Sequence, residues 1–171
     1  IRPSRGLGDV YKRQPNVLES LSKDKIILEI LVSVFPQLKH FNIFSKLNTN
    51  LKDMLSKVDF IFIISLLIID ETDNVEYFIY KFNLSKKDQK RIRNISNFYK
   101  KKITSKTFTE KNLNLIFYHS GKETVLDILN YRILKTNKLD NNILALIRKF
   151  EIKSVPTLSL IHISEPTRRS Y

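Results

Sequence analysis

Residues 60–69 form an apolar run that constrains the fold of this 171-residue chain more than any other feature. The run reads Phe-Ile-Phe-Ile-Ile-Ser-Leu-Leu-Ile-Ile, and Asp59, a favourable helix N-cap residue, stands directly before it. It is far shorter than the roughly 20 residues that a helix needs to span a bilayer. A strand is possible because β-branched residues are plentiful, but no turn signal brackets a partner strand. We therefore predict a central buried helix.

The composition also favours helices. Gly121 is the one glycine between residues 15 and 158, which argues against a series of tight hairpins. Low Gly and Pro together with abundant Leu, Ile, Lys and Asn predict an all-α domain. The chain has no cysteine, which excludes a disulfide partner, a thiolate nucleophile and a cysteine-based zinc site. A reducing, cytoplasmic location is the simplest expectation.

Both ends of the chain differ in character from its middle. Residues 1–14 and residues 159–171 resemble translated sequencing-adapter peptides of the kind found at contig ends in metagenome assemblies. We therefore exclude both stretches, as extended non-native ends, from the prediction of the fold. Residues 15–158 are long enough for one domain with a sizeable core, and we treat them as a fragment of a longer protein.

The chain is strongly basic. It has 30 Lys and Arg residues against 17 Asp and Glu residues, a formal charge of +13. The two ends hold six of these basic residues and two of the acidic ones, so residues 15–158 retain 24 against 15, or +9. Such a balance predicts a polyanionic partner, although an A·T-rich genome would account for part of the lysine excess.

Capping and periodicity signals predict seven or eight short antiparallel helices. Ser22 is expected to open the first helix, which Pro36 ends, and Pro36 is expected to begin a second helix toward Leu47. Gly121 stands where a helix C-cap belongs. The remaining helical segments cover residues 51–58, 60–69, 110–119, 122–135 and 141–150, together with residues 75–82, which lead into the basic helix within residues 83–102.

The most basic of these helices lies within residues 83–102, which contain eight Lys and Arg residues and one Asp. Ser85 is a suitable N-cap, and Asp88 completes a pair that resembles a capping box. Ile92, Ile95 and Tyr99 fall on one narrow arc of the helix, and the basic residues cover the opposite arc. The apolar arc is expected to pack on the core, and the basic arc to face water or an anion.

Catalytic signals are sparse. His40 and His119 have no partner at metal-ligand spacing, and the acidic stretch around Asp70 is expected to lie in a loop after a helix end. Ser120 and Gly121 lack the surrounding pattern of a nucleophile elbow. We assign no catalytic or metal-binding residue.

Basic residues with interleaved aromatic residues are the remaining functional signal, because such sets contact phosphates by charge and bases by stacking. The aromatic residues are Phe98, Tyr99, Tyr118 and Tyr131, of which Tyr99 is expected to be in the core. The predicted RNA-binding residues are Lys86, Lys87, Lys90, Arg93, Lys101, Lys122, Arg132 and Lys135. Arg132 and Lys135 have no acid close to them in the sequence.

Four segments, in this order, resemble the C-terminal helical body and tail region of bacterial CCA-adding tRNA nucleotidyltransferases and their poly(A) polymerase relatives. They are Phe35-Pro36-Gln37-Leu38, the Leu-Ser-Lys-Lys-Asp-Gln-Lys-Arg-Ile stretch at 84–92, the Tyr-His-Ser-Gly-Lys-Glu stretch at 118–123 followed by Leu126-Asp127, and Val155-Pro156-Thr157-Leu158. The catalytic head of that family, with its glycine-rich loop and paired aspartates, has no counterpart here.

The resemblance implies that this fragment binds the acceptor and T arms of tRNA through phosphates and shape. A missing head domain would add nucleotides from CTP and ATP with Mg²⁺, so the fragment alone should be inactive and hold no cofactor. The competing hypothesis is a basic helical protein–protein interaction module with no enzyme parent. Association with a membrane surface is disfavoured, because the apolar arc of the basic helix is narrow.

Overall fold

A computed structural model describes residues 16–101 and 105–154, apart from the side chains of Lys46, Ser105 and Lys106. Within these ranges the chain is all-α, as predicted, with eight α-helices and no strand. The elements are α1 (16–23), α2 (Lys25–Val34), α3 (Thr49–Lys57), α4 (Phe60–Ile68), α5 (Asn74–Phe82), α6 (Lys86–Lys100), α7 (Glu110–Thr136) and α8 (Asn141–Ile152), with 3₁₀ turns at Phe41–Lys46 and Ser105–Phe108. The adapter-like ends and the Val155-Pro156-Thr157-Leu158 segment lie outside the described residues.

The predicted central helix is confirmed as α4. The Asp59 side chain caps it by accepting a hydrogen bond from the Phe62 amide at 2.9 Å. Every residue from 62 to 68 is buried, and α4 packs against α5, α6 and α7. Seven successive buried residues point in all directions around the helix, which therefore needs neighbours on every side. The other helices are arranged around it.

Local capping signals place most of the remaining helices. Ser85 accepts a hydrogen bond from the Asp88 amide at 3.2 Å, and its hydroxyl donates to the Asp88 carboxylate at 2.6 Å. Asp140 caps α8 through the amides of Asn142 and Ile143. Gly121 interrupts α7 with φ 85° and ψ 170°, a backbone conformation that is essentially restricted to glycine. The predicted break between residues 119 and 122 is therefore confirmed.

Two predictions in the first third of the chain are wrong. Ser22 does not open a helix: its hydroxyl donates to the Glu19 carbonyl within α1, and Asp24 caps α2 by accepting from two amides. The predicted helix from Pro36 to Leu47 is a turn followed by the 3₁₀ turn Phe41–Lys46. The Lys39 amide donates to the Leu67 carbonyl at the end of α4, a long-range bond that takes this amide out of any helix.

The apolar helix α2 contributes no buried residue, although seven of its ten residues are Ile, Leu or Val. Its exposed members are Ile26, Ile27, Ile30, Val32 and Val34. Leu28 and Leu31 are half-buried and pack at the edge of the core. The hydrophobic surface of α2 is therefore only partly covered within the described part of the chain.

Candidate RNA-binding surface

Four exposed lysines lie on the solvent side of α6 and at its C-cap, and we call them the lysine surface: Lys86, Lys87, Lys90 and Lys101. None of them forms an ion pair or hydrogen bond with any residue in the described ranges. Ile92 and Ile95, on the other side of α6, are fully buried, so the direction of the lysines is fixed by core packing. At 1.5 Å per residue, Lys90 and Lys101 lie about 16 Å apart along the helix axis.

Helix stability does not explain the position of the first two lysines. Lys86 and Lys87 occupy the first turn of α6, where the partial positive charge of the helix dipole disfavours cations. Asp88 in the same turn offsets part of this charge, but it is engaged with Ser85 in the cap. The start of α6 therefore concentrates positive potential where a stabilising sequence would place acids.

A half-buried arginine orients α6. Arg91 Nε and Nη2 donate to both oxygens of Asp127 on α7, at 2.6 and 2.8 Å, and its Nη1 donates to Asp59 at the start of α4. We call these three residues the Arg91 anchor. The hydrogen bonds to Asp127 and Asp59 raise the pKa of Arg91, so its charge is permanent. The sequence pattern did not predict this anchor, although Arg91 and Asp127 both stand in segments that carry the family resemblance.

Arg93 lies next to the lysine surface, but its guanidinium is engaged. It donates to both carboxylate oxygens of Glu76 on α5, at 2.7–3.1 Å, and to Gln89 at 3.1 Å. Each guanidinium nitrogen of Arg93 thus donates a hydrogen bond within the protein, which leaves fewer donors for a phosphate. Its predicted role in RNA binding would require Glu76 to give up part of this contact.

A shallow cavity of about 600 Å³ lies beside Arg93 between α5 and α6. Its lining includes Tyr80, Asn83, Gln89 and Arg93, and the Tyr80 side chain is 86% exposed. An exposed aromatic ring beside an arginine is a typical stacking platform for an unpaired base. Tyr80 is not among the residues predicted from the sequence, although it falls on the face of α5 opposite the buried Val75 and Phe78.

The three predicted basic residues of α7 have individual structural roles. Lys122 donates to the Glu151 carbonyl near the end of α8. Arg132 is exposed and lies over the Phe108 ring, 5.6 Å from its centroid. Lys135 is half-buried beside Tyr131, and burial lowers its pKa to about 8 although Asp70 opposes this shift. The fold thus brings to Lys135 an acid that is distant in the sequence.

Most of the predicted stacking residues are unavailable. Tyr99 and Tyr131 pack together with ring centroids 4.5 Å apart, and the Tyr99 hydroxyl donates to the Ile128 carbonyl at 2.7 Å. Burial raises the pKa of both phenols. The expectation that Tyr99 belongs to the core is therefore confirmed. Phe98 is half-buried against Phe108, whereas Tyr118 is exposed.

The acidic stretch after α4 is occupied by local contacts. Asp70 accepts hydrogen bonds from Lys39 at 2.8 Å and from the Thr72 hydroxyl at 2.6 Å, and these bonds lower its pKa to about 2 against the opposing effect of burial. The described residues contain no group of three or more His, Asp or Glu side chains placed to hold a metal ion.

Comparison of the chain with models of known protein families, with curated proteins and with solved structures found no match. Among the helices described here, none has both the length and the apolar composition required to cross a membrane.

Proposed function

We propose that this chain binds tRNA through the lysine surface, as the C-terminal fragment of an enzyme related to the CCA-adding nucleotidyltransferases. The observation that carries the proposal is the set of four exposed lysines without any carboxylate partner among the described residues. Phosphates are suitable partners for such unpaired lysines, because contacts to phosphates need charge and little base readout.

A contact between two of the segments that resemble the family supports the same proposal. Arg91, in the second segment, pairs with Asp127, which follows the third. The first segment lies against the end of α5, where the rings of Phe35 and Phe82 are 5.8 Å apart, and the Gln37 carbonyl accepts a bond from Asn74. Three segments that are far apart in sequence thus contribute to one packed body.

In this proposal the chain holds the acceptor and T arms of tRNA in the cytoplasm. A catalytic head on another part of the parent enzyme would supply the Mg²⁺ site and the pocket for CTP and ATP. The Tyr80 cavity adds a place for an unpaired base beside the phosphate contacts of α6.

The proposal is tested by charge reversal. We expect Lys90→Glu with Lys101→Glu to lower the affinity of the full chain for tRNA by about tenfold or more at moderate salt, and to flatten the dependence of affinity on salt concentration. The measurement is a filter-binding or fluorescence-anisotropy titration at several salt concentrations. Circular dichroism should show an unchanged melting temperature, because both lysines are exposed.

A matched control has the same change of net charge at another place. Lys111→Glu with Lys138→Glu alters two exposed lysines, one in the first turn of α7 and one just beyond its C-cap residue Asn137. If this control loses as much affinity as the α6 pair, binding follows net charge and the lysine surface is not the site. Equal affinity of the unmodified chain for tRNA and for heparin would favour the interaction-module hypothesis instead.

A further inference from the structure

The Tyr80 cavity has features that distinguish one kind of base from another. The Tyr80 side chain is 86% exposed, so its ring is open to a stacking partner. Ile79 is buried and gives the cavity an apolar contact for a ring. Every base can stack on an aromatic side chain, but a bicyclic purine covers more of that ring than a monocyclic pyrimidine does. Stacking in this cavity therefore favours purines.

Glu76 provides the cavity with a hydrogen-bond acceptor. Arg93 Nε donates to Glu76 Oε1 at 2.9 Å, and Arg93 Nη2 donates to Glu76 Oε2 at 2.7 Å. These bonds lower the pKa of Glu76, so the carboxylate is ionised at neutral pH and can only accept hydrogen bonds. Its oxygens have about four lone-pair sites, and Arg93 does not occupy all of them. An exocyclic amino group fits this acceptor, whereas the carbonyl oxygens of uracil do not.

Asn83 provides the cavity with a hydrogen-bond donor. It ends α5 in the left-handed conformation, with φ 44° and ψ 51°, and its side chain lines the cavity. The side-chain amide forms no hydrogen bond with any residue in the described ranges. Its NH₂ group can donate to N7, an acceptor that adenine and guanine present and that pyrimidines lack. This free amide again favours a purine.

The cavity is continuous with the lysine surface along α6. Lys86 lies three residues before the lining residue Gln89, and Lys90 lies three residues before Arg93. Residues three positions apart are neighbours on the surface of a helix. An RNA strand with one base in the cavity can therefore place adjacent phosphates near these two lysines.

We propose that the Tyr80 cavity binds an unpaired purine of the RNA, which stacks on Tyr80, donates from its amino group to Glu76 and accepts at N7 from Asn83. This inference rests on the proposed RNA binding and adds base selectivity to it. The lysine surface contacts phosphates whatever the sequence, so selectivity is expected to come from the cavity.

The test uses the full chain and labelled RNA hairpins that differ in one nucleotide. All have the same stem, which either is blunt or ends in one unpaired 3′ nucleotide: adenosine, guanosine, cytidine or uridine. In anisotropy titrations at moderate salt, we expect the two purine hairpins to bind at least about fivefold more tightly than the cytidine, uridine and blunt hairpins, a difference within the range that stacking of one base supplies.

Variants locate the purine site. Tyr80→Ala should abolish the preference for purines, whereas Tyr80→Phe, which keeps the ring, should retain it. Tyr77→Ala is the matched control, because Tyr77 is also exposed on α5 but does not line the cavity. Asn83→Gly removes the amide and keeps the left-handed backbone, so it should reduce the purine preference without lowering the melting temperature.

Equal binding of all five hairpins would overturn this inference, as would a purine preference that Tyr80→Ala retains. If Lys90→Glu with Lys101→Glu still weakens binding in those cases, the RNA-binding proposal stands without base selectivity. If the unmodified chain binds neither tRNA nor any of the hairpins, both proposals fail.

Discussion

Lys135 illustrates how the fold changes the chemistry of a single residue. In the sequence it is one more cation of a basic chain, but in the structure it is half-buried, with its ammonium 5.9 Å from the centroid of the Tyr131 ring. Burial lowers its pKa from 10.5 to about 8, and the neighbouring Asp70 opposes the shift. The charge of Lys135 is therefore less available to a phosphate than the charges of the lysine surface.

This lowered pKa predicts a measurable dependence of stability on pH. Between about pH 8 and 10.5 the unfolded state keeps the Lys135 proton that the folded state has released, so the free energy of unfolding rises with pH. We expect Lys135→Met to lose this rise and to have a higher melting temperature at neutral pH, where it no longer buries a charge. Thermal melts of both proteins across this range measure the difference.

Lys138→Met provides the control, because Lys138 is exposed and lies three residues further along the chain. Its melting temperature should follow that of the unmodified chain at every pH. Parallel pH profiles for the unmodified chain and Lys135→Met would show that the Lys135 ammonium is not desolvated.

At the scale of elements, the Arg91 anchor joins three helices. Arg91 on α6 reaches Asp127 on α7 and the N-cap of α4, and the Asp127 side chain is 7% exposed. A charge pair that is this deeply buried contributes little when intact, but the loss of Asp127 leaves the charged Arg91 with only the exposed Asp59 carboxylate as its partner in the anchor. The anchor is therefore expected to control how α6 sits on the core.

We expect Asp127→Asn to lower the free energy of unfolding by about 3 kcal/mol, because Arg91 keeps its charge at any accessible pH. Urea unfolding followed by circular dichroism measures this value. Asp53→Asn is the matched control: Asp53 pairs with Lys57 at 2.7 Å, but both side chains are largely exposed, so the expected loss is at most about 0.5 kcal/mol. Similar losses in the two variants would contradict the structural importance of the anchor.

Elements whose ends are marked by local chemistry were predictable from the sequence. Asp59, Ser85 and Asp140 cap helices through amides two or three residues away, so the sequence pattern contains the whole interaction. The segment after Pro36 was not predictable, because the bond from the Lys39 amide to the Leu67 carbonyl depends on where α4 lies. No local pattern contains such a contact.

The residues of the candidate site were likewise predictable only in part from the sequence. The helical period alone placed Lys86, Lys90 and Lys101 opposite the buried Ile92 and Ile95. It did not indicate that Arg93 is held by Glu76, since the two residues meet across neighbouring helices. The exposure of Tyr80 likewise follows from the packing of α5 and not from its own sequence neighbours.

At the scale of the whole molecule, the shortage of acids means that many carboxylates have a cation beside them. Hydrogen bonds from Lys23 and Lys52 lower the pKa of Glu19 from 4.5 to about 2. Arg93 and Lys149 likewise lower the pKa of Glu76 and Glu110. Four of the surplus lysines form the lysine surface, whereas Glu19, Glu76 and Glu110 are held in ion pairs.

This distribution of ion pairs predicts how the stability of the fold changes at acid pH. Glu19 and Asp70 have folded pKa values of about 2, below their ordinary values of 4.5 and 3.8, so their stabilisation is present above those ordinary values and disappears as pH falls toward 2. We expect the melting temperature to fall steeply between about pH 4.5 and 2. In Glu19→Gln with Asp70→Asn this fall should be shallower, and an equally steep fall would show that other groups govern acid unfolding.

The Arg91 anchor also has a consequence for how such a surface persists through evolution. Successive residues of a helix differ in direction by about 100°, so a rotation of α6 by one position would turn its lysines away from their common face. The residues that define this rotational register include Arg91, Asp127 and Asp59, none of which belongs to the lysine surface. Among homologous chains, these three positions should therefore covary more tightly with each other than the individual lysines do, because a face of several cations tolerates the loss of one cation better than the loss of its common orientation.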